Sequence, residues 1–336
     1  MIVSWNTTND CNMFCDHCYR DAGCKAEDEL STTQAKTLLE QIAKAGFKIM
    51  IFSGGEPLLR PDIVELVAHA TSLGLRPVFG TNGTLITPEL AKQLKEAGAM
   101  GMGISLDSLD KAKHDEFRKF PGAWDGAVQG MENCREVGLP FQIHTTVMDW
   151  NAHEVEAITD FAVEIGAVAH HFFFLVPTGR AVSIEEESLR AEAYEDILTR
   201  IMQKQQTVNI ELKPTCAPQF MRIAKQMGID MRFSRGCLAG TAYCIIGPKG
   251  QVQPCAYLNI SLGDVRETPF DEIWCNNEVL QTLRTLDYKG GCGSCQYKRA
   301  CGGCRARAAY YNDGDYMAEE PWCLYHGRKG VQYGCN

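Results

Sequence analysis

Ile2-Val-Ser-Trp-Asn6-Thr-Thr-Asn-Asp-Cys11-Asn-Met-Phe-Cys15-Asp-His-Cys18 runs from a short apolar segment straight into three cysteines, spaced by three and then two residues. The segment before the cysteines reads as a strand, with no basic stretch or cleavage site of an export signal. Three thiolates at this spacing can wrap one face of an iron–sulphur cubane and leave the fourth iron without a protein ligand. An open coordination position is where a substrate or cofactor meets a metal. Spacing alone leaves chance or a zinc site short of one ligand as alternatives, so the surrounding sequence has to decide.

Downstream, apolar runs alternate with amphipathic helical patterns to about residue 200. Predicted strands are 2–6, 47–52, 76–80, 100–105, 140–147 and 168–176. The helix predicted over 32–45 opens on a capping box of Ser31 and Gln34, puts Ala35, Leu38, Leu39 and Ile42 on one face, and stops at Gly46. Ile63, Leu66, Val67 and Ala70 repeat that logic, and a third helix takes Thr87 as its cap with Pro88 in its first turn. Alternating strands and helices imply parallel strands with the helices outside, an α/β class. Six such units suit a partial (β/α)6 TIM-like barrel over 1–205, with ligands at the carboxyl ends of the strands. Residues 186–206 read as a further helix and 206–232 as a connecting segment. A Gly- and Cys-rich module then spans 233–327, with short strand signals at 243–246 and 251–253 and little core of its own. Residues 328–336 read as a polar tail carrying Cys335.

A chain of 336 residues, 45% hydrophobic and 22% charged, can build ordinary cores. Its net charge of −9 argues against nucleic acid or an anionic membrane surface as a general partner. No apolar run approaches the roughly 20 residues that span a bilayer. Sixteen cysteines are the departure from the ordinary. In a chain with no export signal, closely paired cysteines point to metal in a cytoplasmic protein rather than to disulfides. They gather at 11–18 and again between Cys237 and Cys323, so two metal regions are expected. Cys24, Cys134, Cys216 and Cys275 read as structural.

Ser53-Gly-Gly-Glu-Pro57 ends the second predicted strand, on the same rim as the cysteine loop. Its glycines let backbone approach a ligand, and Glu56 offers an acceptor for an ammonium. Together the two motifs resemble the radical SAM superfamily, whose signature is Cys-x3-Cys-x2-Cys with an aromatic residue, here His17, before the third cysteine. The resemblance covers residues 1–200. It implies a [4Fe–4S] cluster on Cys11, Cys15 and Cys18 and S-adenosylmethionine (SAM) bound near Gly54, Gly55 and Glu56. Asn82 in Thr81-Asn-Gly83, and Ser105 and Asp107 in Ile104-Ser-Leu-Asp-Ser108, fit the same cofactor. It further implies a 5′-deoxyadenosyl radical and a low-potential electron donor of flavodoxin or ferredoxin type.

The C-terminal cysteines resemble the SPASM extension of that superfamily. By that resemblance Cys237, Cys244, Cys255 and Cys304 hold one auxiliary [4Fe–4S] cluster, and Cys292, Cys295, Cys301 and Cys323 the other. Two residues rather than three separate Cys301 from Cys304, which leaves the count at one or two clusters. Zinc ribbons are the competing reading, although their pairs stand farther apart than the five residues between Cys295 and Cys301. Leu175-Val-Pro-Thr-Gly-Arg180, the opening Ser4-Trp-Asn-Thr-Thr-Asn-Asp-Cys11 and the run Cys301-Gly-Gly-Cys-Arg-Ala-Arg307 are similar to NirJ-like radical SAM proteins of haem and haem d1 biosynthesis. That similarity implies an iron tetrapyrrole as substrate, with oxidative decarboxylation of its propionates. Deacetylation of didecarboxysiroheme and peptide maturation are the alternatives. The radical core is expected to begin at residue 2 with no leader-binding domain before it, which weighs against a peptide substrate. Arg180, Arg305 and Arg307 are candidates to pair with propionates. His144 and His171 are candidates to face the iron or a carboxylate.

Overall fold

The computed structural model describes residues 1–325. The expected tail at 328–336, the last two residues of the expected module and Cys335 lie outside the described residues. Ten strands form one sheet: β1 (Ile2–Asn6), β2 (Ile49–Ser53), β3 (Arg76–Thr81), β4 (Gly101–Ser105), β5 (Phe141–Val147), β6 (Ala169–Phe174), β7 (Glu211–Thr215), β8 (Tyr243–Ile246), β9 (Gln251–Gln253) and β10 (Gly263–Asp264). Their order is β10-β9-β8-β1-β2-β3-β4-β5-β6-β7. From β8 through β7 every neighbouring pair is parallel, and β9 alone runs the other way, antiparallel to both β8 and β10.

The helices between strands are α1 (Thr32–Lys44), α2 (Ile63–Ser72), α3 (Pro88–Ala97), α4 (Lys111–Arg118), α5 (Ala123–Val137), α6 (Val155–Ile165) and α7 (Ala191–Gln205). Strands β1 to β7 neighbour one another in chain order, and right-handed crossovers then put the helices on one side and leave the other face as the inside of a partial barrel. The capping box at Ser31 and the Thr87 cap with Pro88 are present as expected. Leu38, Leu39, Leu66, Leu94 and Met131 pack on Trp5, Phe52, Phe79, Met102 and Ile143. Strand alternation sends the intervening side chains, Ser4, Asn6, Ser53, Ser105, His144, His171 and Lys213, to the inner face. Ile51, Val78 and Phe173 share that face, so the chamber lining mixes polar and apolar side chains.

Three expectations need correction. The segment 206–232 is not a bare connection: it contains β7, paired with β6, and α8 (Phe220–Gln226). Those elements close a second core with α7 through Tyr194, Ile197, Leu198, Leu212 and Phe220. Helix α7 starts at Ala191 rather than 186, because Gly179–Glu187 is wound as 3-10 turns. Lastly, the sheet crosses the boundary expected near 232, since β8 pairs with β1 in the register Ile2↔Tyr243 to Trp5↔Ile246. The remaining helices, α9 (Phe270–Asn276), α10 (Glu278–Thr285), α11 (Gly290–Ser294) and α12 (Arg305–Tyr311), carry the cysteine-rich region. Among the described residues no helix is long and apolar enough to cross a membrane.

Candidate active site

The loop after β1 carries Cys11, Cys15 and Cys18 and is held by its own far side and by a residue that follows β6. The Cys11 N–H donates to the Gly23 carbonyl at 3.1 Å, closing the loop on itself. From the far side of the barrel, Arg180 donates through Nε to the Cys15 carbonyl (2.9 Å) and through Nη1 to the Ala22 carbonyl (2.8 Å). Its guanidinium also lies over the Phe14 ring, 3.8 Å from the centre. Its own N–H donates to the Cys18 carbonyl at 3.0 Å. Gly179, at φ +58°, makes this approach possible, since a Cβ there would stand 2.6 Å from the Tyr19 carbonyl. Arg180 was expected to meet a substrate carboxylate; instead it clamps the loop that bears the three thiols.

The Gly-Gly-Glu segment is an internal brace as well. The Gly55 N–H donates to Thr8 O (2.8 Å) and the Glu56 N–H to Asp10 O (2.7 Å), which ties the end of β2 to the approach to Cys11. A Cβ on Gly55 would lie 2.1 Å from the Asp10 oxygen. The Glu56 carboxylate is fully buried and accepts from Thr81 Oγ1 (2.7 Å), Asn82 N–H (2.9 Å) and Leu58 N–H (3.1 Å). Burial pushes its pKa up, and those three donors act against the shift. Asn82 donates to Asn12 Oδ1 at 2.8 Å, so the end of β3 also grips the cysteine loop. Ser105 donates to the Thr81 carbonyl at 3.2 Å. Asp107 is sealed: Oδ2 accepts from Arg118 Nε (2.7 Å) and Oδ1 from the Thr146 N–H (2.8 Å). Burial works to raise its pKa, but the Arg118 guanidinium prevails and holds it down at about 2.

Arg118 was missed from sequence, where it looks like any charged residue at a helix end. It is buried at the close of α4, and its charge lowers the pKa of the Cys15 thiol. Burial nonetheless raises Cys15 overall and pushes Cys11 up to about 12, so the bare thiols stay protonated until a metal replaces the proton. His17 stacks on Phe117 (centroids 4.1 Å apart) with its Nδ1 buried and unpartnered, and burial, aided by Arg118, lowers its pKa to about 3. Asn6 Nδ2, on the inner face, is a second buried donor without a partner. Two orphaned polar atoms beside three grouped thiols fit a cluster with a polar cofactor against it.

The C-terminal cysteines fall into two groups. Cys216, Cys255 and Cys304 are raised in pKa first by burial and then by neighbouring thiols, Cys237 among them, which places the four together. Cys292, Cys295, Cys301 and Cys323 line a hollow with Tyr297 and Gly303. Cys244 joins neither group. On β8 it alternates with the inward Tyr243, so its thiol lies in the main core against the helices with Ile246. Cys216, read as structural, takes the place Cys244 was expected to fill; it directly follows β7 at a φ of +61°, a backbone state uncommon outside glycine. Among the described residues no three His, Cys, Asp or Glu side chains converge tightly enough to hold one metal ion. Thiols grouped at wider spacing suit a cubane, whose ligands sit on separate irons, better than zinc. Cys134 is buried in α5, and Cys24 and Cys275 are exposed.

Arg305 and Arg307 are also corrected. Arg305 donates to the carbonyls of Tyr316 (3.1 Å) and Ala318 (2.7 Å) and approaches Cys292 Sγ at 3.7 Å. Arg307 pairs with Glu320 at 3.1 Å, both fully buried, and donates to the Cys216 carbonyl at 2.8 Å. Neither guanidinium faces the chamber as a free fork; both order the backbone around the second and first thiol groups. His144 and His171, by contrast, stand on the inner face with their rings stacked at 5.4 Å and 7°. Burial lowers the pKa of both.

A parallel partial barrel with a three-cysteine loop at its carboxyl rim and a second cysteine-rich region beside β1 defines a class. The sequence pattern of the radical SAM superfamily matches residues 5–162, and that of the SPASM iron–sulphur cluster-binding domain matches residues 237–305. The chain belongs to the radical SAM superfamily. Within it, the chain is 44% identical over 342 residues to the AdoMet-dependent heme synthase of Nitratidesulfovibrio vulgaris, covering 98% of this chain and 93% of that protein. It is 43% identical over 343 residues to the AdoMet-dependent heme synthase of Methanosarcina barkeri, covering 98% and 97%. SuiB of Streptococcus suis, solved bound to S-adenosylmethionine, shares the fold at a TM-score of 0.73 and 17% identity, over 96% of this chain and 75% of that one.

Proposed function

We propose that this chain is an enzyme that uses SAM-derived radical chemistry to convert propionate side chains of iron-coproporphyrin III to vinyl groups, giving haem b. The observation that carries the reading is likeness along nearly the whole chain to heme synthases of two unrelated organisms. The inner face, where the rings of His144 and His171 stack and Lys213 stands at the end of their row, supports it as a site for an acidic ligand.

Cys11, Cys15 and Cys18 would hold the cluster that meets SAM, with Arg180, Gly55 and Asn82 fixing the loop that presents them. Cys216, Cys237, Cys255 and Cys304 would hold one auxiliary cluster, and Cys292, Cys295, Cys301 and Cys323 the other. When bound, these groups supply a carbon radical able to take a hydrogen atom from an unactivated C–H bond, and an acceptor for one electron. Each propionate then loses a β-hydrogen atom, CO2 and one electron, which balances to a vinyl group. The protein's part is to orient the side chain and exclude water. A low-potential flavodoxin- or ferredoxin-type protein of the cytoplasm is the proposed reductant.

The reading is tested by anaerobic turnover of the reconstituted enzyme with SAM, dithionite and iron-coproporphyrin III. Mass analysis is expected to show two successive losses of a formic-acid equivalent. SAM cleavage without loss from this substrate, but with loss of acetate groups from didecarboxysiroheme, would move the assignment to the deacetylating reaction.

A further inference from the structure

The inner face carries a row of polar side chains, of which Ser105 donates to Thr81 and His144 and His171 meet Gln142, while the last member, Lys213, is not accounted for by a hydrogen bond or ion pair of the barrel. Ser105, His144, His171 and Lys213 are paired in register across β4, β5, β6 and β7, so their side chains leave the sheet side by side. At the end of this row the Lys213 ammonium sits over the Phe233 ring, 4.5 Å from its centre. Among the described residues it has no ion-pair partner and no hydrogen-bond acceptor. Glu211, two residues back on the same strand, turns to His171 instead, at 3.6 Å from Nε2, too long for a hydrogen bond. His171 Nε2 is buried without a hydrogen-bond partner. The exposed Arg232 adds its charge to the same neighbourhood, where it acts on Glu211. Two fixed cations against one carboxylate make this stretch locally positive in a chain of net charge −9.

A half-buried ammonium whose nearby carboxylate, Glu211, lies beyond ion-pair distance and also faces His171 and Arg232 gains from an anion that pairs with it directly. An ammonium on a flexible stem carries three donors and suits a carboxylate that must be held in more than one pose. We propose that Lys213 receives a carboxylate of the substrate, seated at the end of the His144–His171 row on the inner face. The proposal rests on the reading of an acid-bearing iron tetrapyrrole as substrate, and it assigns the recognition of that acid to β7. Arg180, Arg305 and Arg307, whose guanidinium groups are committed to backbone carbonyls, leave that role open.

Optical titration of the anaerobic, cluster-loaded protein with iron-coproporphyrin III and with its tetramethyl ester tests the two readings separately. Wild-type protein is expected to bind the acid at least tenfold more tightly than the ester. Lys213→Met is expected to lose about tenfold in affinity for the acid and little for the ester, while Lys213→Arg, which keeps a cation, retains most of the preference. If Lys213→Met fails to load iron, the same ratio read on Lys213→Gln decides. An acid-to-ester ratio unchanged by removal of the charge overturns the role of Lys213 and leaves the substrate standing. Failure of wild-type protein to bind either compound overturns the tetrapyrrole reading itself.

Discussion

Cys244 on β8 and Cys216 just after β7 belong to strands that six others separate in the sheet, and their thiols have opposite fates. Cys244 is packed on the helix side of β8, and Cys216 follows β7 with a left-handed backbone that turns it toward Cys237, Cys255 and Cys304. Cys216→Ala is therefore expected to lose one cluster's worth of iron and sulphide. Cys244→Ala should keep the full complement and cost only about 1 kcal/mol, the scale of one buried heavy atom. Iron and sulphide analysis of the two variants side by side checks this, and equal losses would contradict it. Arg180 makes the second residue-scale prediction. Its charged donors to the Cys15 and Ala22 carbonyls are worth on the order of 1.5–3 kcal/mol each. Arg180→Ala should therefore release the N-terminal cluster to a chelator markedly faster, followed by loss of its reduced-state EPR signal, with Arg180→Lys intermediate.

At the scale of elements, β2 and the loop after β1 act as one piece because Gly55 lets two backbones touch. Gly55→Ala is expected to cost about 1–3 kcal/mol through overpacking. It should also depress 5′-deoxyadenosine formation, since the clash falls one residue from Cys11; a thermal midpoint and product assay equal to wild type would refute this. The strands β1 to β6 and the caps of α1 and α3 were legible because period-two and period-3.6 patterns are strong in buried parallel units. Strand β7 was not: Glu211-Leu-Lys-Pro-Thr215 has charges on its chamber face and a proline, the marks of a loop. The parity of Cys244 was readable once Tyr243–Ile246 was taken as a strand, but the ligand pattern of the SPASM resemblance took precedence. Cys216 lacked any paired cysteine to flag it. The arginines misled because sequence reports charge and not partners, and each finds its partners more than ten residues away in the chain.

For the whole molecule, buried histidines set the response to acid. His114 is lowered to about 4, and His144, His170 and His171 are also lowered, in every case chiefly by burial. Their folded pKa values lie below the unfolded value of about 6.5, so on acidification the unfolded chain takes up protons the folded one refuses. Stability is therefore full above about pH 6.5 and falls as the pH drops beneath it, by up to about 1.4 kcal/mol per histidine per pH unit; the His114 share levels off below about 4. Asp107, held at about 2, contributes down to about pH 4 and loses its share only below that. Anaerobic urea unfolding should give a clearly lower midpoint at pH 5.5 than at 7.5, and equal midpoints would count against these burials.

The pairing of β1 with β8 joins residues 2–5 to residues 243–246. A ribosome adding 5–20 residues each second needs roughly 12–50 seconds to travel between them. Through that interval β1 has one flank unpaired, an invitation to aggregate that a nascent-chain chaperone has reason to cover.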